Sequence, residues 1–314
     1  MDYSNTSSTI DIIRNEVNHQ LNNMPLEDIN NLSEIISNCK KNIYFTGIGK
    51  SESIAFHTCS LLKSIGVKCY PLNCINSLHG DIGSLTEDDI VILFSKSGNT
   101  SELINLIPFL KLRRCTTIGI CCNEKSKFKN ICDLTLILPM TKELEVNKIS
   151  SIPTNSYMSQ LIFCNILTTN LIQKKKISIF EYKENHPAGN IGKNLMTIND
   201  ILLKEFPKIN LGSKNDIKIH DILLEMTNHN IGCCFFMKED KLYGILTDGD
   251  IRRLILENNS PDSINVKEIN TKFNFESDKL KFINKIVNIK TKKFIPVIEN
   301  DKFIGIISYR DILN

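Results

Sequence analysis

The chain is 314 residues long, 41% hydrophobic and 23% charged, with 38 Lys and Arg against 35 Asp and Glu for a formal net charge of +3. That length allows two or three domains, and the composition excludes an intrinsically disordered chain. Interspersed charges exclude the basic stripe of a nucleic-acid binder, and no apolar run approaches the ~18 residues a membrane span needs, so neither nucleic acid nor membrane is an expected partner. The N-terminus MDYSNTSSTIDII lacks the basic, apolar, small-residue order of a signal peptide, and a cytoplasmic location is the expectation. The 11 cysteines are odd in number and lie in apolar segments such as IGICCN and IGCCFF without C-x-x-C spacing, which predicts buried reduced thiols and no metal centre.

In chain order, Ile10, Ile13, Val17 and Leu21, then Ile29, Leu32, Ile35 and Ile36, fall at helical spacing on either side of the polar break NNMPLED, predicting two amphipathic helices. From Asn42 a unit repeats: apolar run, small-residue turn, helical stretch. NIYFT leads to GIGKSES and a helix to about Ile65; VKCYPL follows; DIVILFS leads to SKSGNTSE and a helix through Leu112; TTIGICC and LTLIL complete the series. Short apolar strands alternating with helices predict βαβ units and a parallel sheet covered on both faces. The character changes after His186, and a boundary is expected near residue 193. Beyond it, YGILTDGDIRRLIL (243–256) and IGIISYRDILN (304–314) form an internal repeat, each preceded by an apolar strand, IGCCFFM or KFIPVIE. A tandem pair that buries its faces mutually is the expected second part.

Ligands of open α/β sheets bind beyond the carboxyl ends of the strands, where helix N-termini supply free N–H groups and roughly half a positive charge. GIGKSES (47–53) and SKSGNTSE (95–102) fall at such ends. The first is no nucleotide loop, because a Walker A motif needs Gly where Tyr44 stands and G-x-G-x-x-G fails at Glu52. Either turn alone reads as ordinary capping; both at successive strand ends favour a site for one phosphate.

The pattern S-x-S-G-x-[ST]-x-E at Ser95, Ser97, Gly98, Thr100 and Glu102 resembles the sugar isomerase (SIS) domain, a family that binds phosphosugars. GIGKSES, SLHGDIGSL (77–85), SKSGNTSE, IPTNS (152–156) and NHPAGNIGKNL (185–195) stand in the order seen in bacterial D-arabinose 5-phosphate isomerases, which carry an SIS domain followed by two CBS domains; TDGDIRR (247–253) is similar to that family's first CBS repeat. The resemblance implies an α/β three-layer SIS sandwich with a mostly parallel five-stranded sheet, followed by a small α+β CBS pair. It implies N-terminal helices over 1–40, an SIS domain over 41–193 and CBS domains over 194–257 and 258–314. The activity implied is cofactor-independent interconversion of D-ribulose 5-phosphate and D-arabinose 5-phosphate through an enediol(ate), in a homotetramer or homodimer with sites completed across subunits.

By the same resemblance Ser51, Ser95, Ser97 and Thr100 cradle the substrate phosphate, and Lys50, His79, Glu102, Glu143 and His186 form the catalytic set. Such chemistry needs several groups, since one positioned acid or base supplies ~10²–10⁴-fold and one oxyanion donor ~10²–10³-fold. Glu143 is the expected enolising base, with its pKa raised by a desolvating pocket. Lys50 is expected to stabilise the oxyanion, His186 to open the ring or relay protons, and His79 and Glu102 to orient hydroxyls or other catalytic groups. In the CBS pair, Thr247 with Asp250 and Ser308 with Asp311 would meet the ribose and phosphate of a nucleotide effector, against the plainer reading that such pairs are structural. The chain departs from the family at LEVNKISSIPTNS, which is about two residues longer than usual, with Ile152 for Ala and Asn155 for Ser. The rival readings are an isomerase of another sugar phosphate and a non-catalytic phosphosugar sensor.

Overall fold

The computed structural model describes residues 6–145, 152–213, 215–257, 262–286 and 294–308. The chain forms two compact units, Met1–His186 and Pro187–Asn314. In the first, helices α1 (Thr6–Asn22) and α2 (Leu26–Asn38) precede β1 (Ile43–Gly47), α3 (Lys50–Ser64), β2 (Cys69–Pro71), α4 (Cys74–Ser77), β3 (Ile90–Phe94), α5 (Ser101–Leu112), β4 (Thr116–Cys121), α6 (Phe128–Ile131), β5 (Leu134–Ile137), α7 (Asn155–Lys174) and α8 (Ile179–Glu184). The strands form one sheet in the order β2-β1-β3-β4-β5, every neighbouring pair parallel.

Every residue of β1 and β3 is buried, as strands covered on both faces require, and this is why their sequences are continuous apolar runs without alternation. On one face Phe45, Ile92, Phe94 and Ile118 pack with Leu32 of α2, Ile54 and Leu62 of α3, and Phe163 and Leu167 of α7. On the other, Val91 and Leu93 pack with Leu103, Leu106 and Leu110 of α5 and with Phe128 of α6. The result is a three-layer α/β sandwich. Because β2 and β3 flank β1 on opposite sides, the crossover helices leave in opposite directions and open a crevice beyond the carboxyl ends of β1 and β3.

The second unit contains α9 (Gly189–Asn194), β6 (Lys208–Asn210), β7 (Asp216–Lys218), α10 (Ile219–Asn228), β8 (Cys233–Lys238), β9 (Lys241–Thr247), α11 (Asp248–Glu257), β10 (Ser263–Asn265), β11 (Phe294–Glu299) and β12 (Lys302–Ser308). The two repeat copies supply the antiparallel pairs β8·β9 and β11·β12, each with a register shift part-way along. Their faces meet through Phe206, Phe235 and Phe303, whose ring centroids lie 4.8 to 5.5 Å apart. A bridge from Leu203 to Ile306 ties the segment before the first copy to the second. The end of the second repeat, including Asp311, lies outside the described residues, as do 146–151 of the altered loop. Among the described residues no helix is long and apolar enough to cross a membrane.

Candidate active site

The crevice beyond β1 and β3 holds a cavity of about 190 Å³ lined by Lys50, Ser51, Ser95, Lys96, Ser97 and Thr100, with Ile48, Pro153, Ser156, Tyr157 and Gln160 completing the wall. Five of the nine residues assigned to phosphate binding or catalysis thus converge on one space.

Backbone geometry explains the convergence. Gly47 ends β1, and a Cβ there would come within 2.6 Å of the Ser51 backbone, so the glycine lets α3 start directly against the strand. Gly49 caps α3 at φ 62°, a left-handed turn that sets Lys50 and Ser51 at the helix N-terminus. In the second turn Ser95 is 2% exposed. Its Oγ accepts the Gly98 N–H at 3.0 Å and shares a hydrogen bond with Thr100 Oγ1 at 2.9 Å. Ser97 Oγ accepts the Asn99 N–H at 3.1 Å. Gly98, at φ 62°, has no room for a side chain, since a Cβ would fall 1.8 Å from Ser126 Oγ. Ser126 closes the turn from behind by donating to the Gly98 carbonyl at 3.2 Å. The turn is a rigid, hydroxyl-lined cup at the start of α5.

Glu143 lies behind this cup and touches two residues that line the cavity, Lys96 of the turn and Ser156 of α7. It is 5% exposed. Its Oε1 pairs with Lys96 Nζ at 3.0 Å and accepts from the Ser156 hydroxyl. Its Oε2 accepts the N–H groups of Thr154, Asn155 and Ser156 at 2.8, 2.7 and 3.2 Å and the Thr154 hydroxyl at 3.1 Å. The carboxylate caps the N-terminus of α7. This corrects the expected direction of its pKa: burial alone raises it, but the Ser156 hydroxyl, the Lys96 ammonium and the backbone N–H groups more than offset burial and bring it down to about 2. The segment carrying Glu143 is also held by α1. Glu16, 5% exposed, accepts from the Thr141 N–H and from Gln20 Nε2, each at 3.0 Å, and from the Thr141 hydroxyl.

The other three residues lie outside the cavity. Glu102 sits in the first turn of α5 and accepts the Ser101 hydroxyl at 2.8 Å; its own backbone N–H and that hydroxyl hold its carboxyl below the usual range. It faces the start of α4, where burial, with Glu102 and Glu52 adding, pushes the Cys74 thiol up to about 11. His79 is exposed, just past α4. His186 follows α8, its Nδ1 2.8 Å from the Tyr182 carbonyl and its ring 4.2 Å from the Tyr182 ring. Its neighbour Asn185 stands beside Gly66, past the last turn of α3, whereas Lys50 is at the first. The 15 residues of α3 span about 22 Å, so His186 lies at the opposite end of the unit from Lys50.

Lys96, Tyr157 and Gln160 were not among the residues read from sequence. Lys96 sits inside SKSGNTSE, whose motif is carried by its hydroxyls and Glu102, so its place in the chain does not mark it as lining; Gln160 follows IPTNS by one helical turn, and that spacing is its only signal.

In the second unit a cavity of about 630 Å³ opens between the repeat copies, lined among others by Thr247, Asp250, Arg252, Lys272, Phe273 and Phe294. Asp250 Oδ2 accepts the Thr247 N–H at 2.8 Å and hydroxyl at 2.6 Å, and its Oδ1 pairs with Arg253. Burial opposes ionisation, but these bonds hold its pKa below the usual value. Ser308 ends β12 and is buried.

A family model described as SIS domain matches residues 35–170, and one described as CBS domain matches 214–257 and 281–314. An uncharacterized protein of Chlamydia pneumoniae is 35% identical over 215 residues, and the match covers 67% of this chain and 64% of that protein's length. The Escherichia coli arabinose 5-phosphate isomerase KpsF is 30% identical over 243 residues, covering 76% of this chain and 74% of KpsF. Among solved structures, E. coli CFT073 c3406 in complex with a sugar phosphate superposes with a TM-score of 0.52 at 26% identity, over 58% of this chain and all of that one.

Proposed function

The chain belongs to the family of KpsF-type arabinose 5-phosphate isomerases, an SIS domain followed by two CBS domains, and from that premise we propose that it interconverts D-ribulose 5-phosphate and D-arabinose 5-phosphate through an enediol(ate). The observation that carries this reading is the meeting of two lysines and six hydroxyl side chains in one cavity, with a buried carboxylate directly behind it.

In this reading Ser51, Ser95, Ser97 and Thr100 hold the phosphate with the N–H groups at the starts of α3 and α5, where the helix ends favour an anion. Lys50 stands where the oxygen charge of the enediolate develops. Glu143 in its ion pair is a weak base. A bound phosphate dianion beside Lys96 competes for that ammonium, and as Lys96 turns to it, the carboxylate loses its ion-pair partner, gains basicity and takes the carbon-bound proton between C1 and C2. Glu102 and His79 orient substrate hydroxyls. His186 serves the cavity of a neighbouring copy in a homodimer or homotetramer, since its own cavity is a helix length away. The protein works in the cytoplasm without a cofactor, and the cleft between the CBS copies takes a nucleotide effector.

The saturated hydrogen bonding of Glu143 favours one rival, a sensor that binds phosphosugars without turning them over. A panel of pentose, hexose and heptose phosphates, scored for both binding and conversion, separates the readings. Conversion of the pentose 5-phosphates alone is expected; preferred conversion of another sugar phosphate moves the substrate, and micromolar binding with no conversion makes the protein a sensor.

A further inference from the structure

Gln160 is 2% exposed and lines the cavity, yet its Nε2 has no hydrogen-bond partner. Buried amides are almost always satisfied, and an unmatched buried N–H costs stability that a leucine of similar volume would not. The packing of α7 gives no reason for an amide here. Phe163, Cys164, Leu167 and Leu171 of the same helix are fully buried hydrocarbon or thiol in the core. An orphaned donor in a wall of the site points to an acceptor brought by the ligand.

The position tells which part of the ligand. Ser156, Tyr157 and Gln160 stand at i, i+1 and i+4 of α7, so Ser156 and Gln160 share one face of the helix and Tyr157 borders it. The phosphate already has its donors on the other elements, from Lys50 and Ser51 of α3 and the Ser95–Thr100 turn. What faces α7 is the remainder of the molecule, the carbon chain with its oxygens. We propose that Gln160 is a specificity-determining residue, donating its amide N–H to a hydroxyl or carbonyl oxygen on the carbon chain of the bound sugar phosphate. The proposal rests on the sugar-phosphate reading of the cavity and adds the group that distinguishes a polyhydroxylated chain from phosphate alone.

Gln160→Leu tests it on the full chain, with inorganic phosphate and a pentose 5-phosphate as separate probes in calorimetric titrations and with thermal melts of the unliganded protein. The proposal predicts a melting temperature equal to or above wild type, unchanged phosphate affinity, and pentose phosphate affinity weakened roughly tenfold or more. Gln160→Asn, one methylene short, is expected to bind the pentose phosphate with intermediate affinity, and it carries the test should the leucine variant not fold. Equal affinity of wild type and both variants for the pentose phosphate overturns the proposal, as does a parallel loss for both probes. If wild type binds phosphate but no sugar phosphate, the underlying reading fails and the proposal with it.

Discussion

At the scale of the residue, Glu143 shows how far burial is from deciding a pKa. TKELEVNK looks like a surface loop in sequence, while a carboxylate in a closed pocket invites the expectation of a raised pKa. Neither reading anticipates that Thr154, Asn155 and Ser156 turn their N–H groups onto it. The direction follows from hydrogen bonds donated by residues 11 to 13 positions later, which only the folded chain brings together. The consequence can be measured. A carboxyl lowered from about 4.5 to about 2 contributes stability that is present above its unfolded pKa and is lost as pH falls through the folded one, on the order of 3 kcal/mol in all. Glu143→Gln is therefore expected to lower stability at pH 7 and to flatten the loss of stability between about pH 4.5 and pH 2, read from urea melts across that range. Identical acid limbs for variant and wild type would remove the charged cap.

At the scale of the element, strands and hydroxyl turns were legible because each rests on local chemistry: continuous apolar runs for β1 and β3, glycines and hydroxyls where the chain turns sharply. The helix α7 was not. Its buried face carries Asn155, Ser156, Ser159 and Gln160 before the hydrocarbon begins, so its first turns lack the apolar period that marks a helix. Three of those polar positions hold Glu143 or line the cavity, Asn155, Ser156 and Gln160, while Ser159 donates to the Pro139 carbonyl. The repeat copies present the reverse case. Thr247 and Asp250 were legible as a pair, and their mutual hydrogen bonds cap α11 without any ligand. Support for a nucleotide comes instead from the cavity beside them, with Arg252, Lys272 and Phe273 in its lining. Adenosine phosphates at millimolar concentration are expected to raise the melting temperature by a few degrees, through binding to the native state alone. No shift with any nucleotide would leave the pair as a cap and nothing more.

At the scale of the whole molecule, the catalytic set read from sequence is divided. Lys50 and the hydroxyl turns share a cavity, Glu102 stands in the first turn of α5 and His79 just past α4, and His186 lies at the far end of α3. Sequence order gives no hint of this division, since distance along the chain says little about which end of a sheet a residue reaches. If neighbouring copies complete each site, Lys50→Ala and His186→Ala are each nearly inactive alone. Refolded together they recover a substantial share of activity, because mixed assemblies contain sites with both wild-type residues. Absence of recovery in demonstrably mixed oligomers would confine each site to one chain. The most direct test of the whole account is incubation of the purified protein with D-arabinose 5-phosphate in deuterated water. The account predicts D-ribulose 5-phosphate, with deuterium entering at the carbon that exchanges its proton through the enediol. Binding of the sugar phosphate without any conversion, of this or another sugar phosphate, would contradict it.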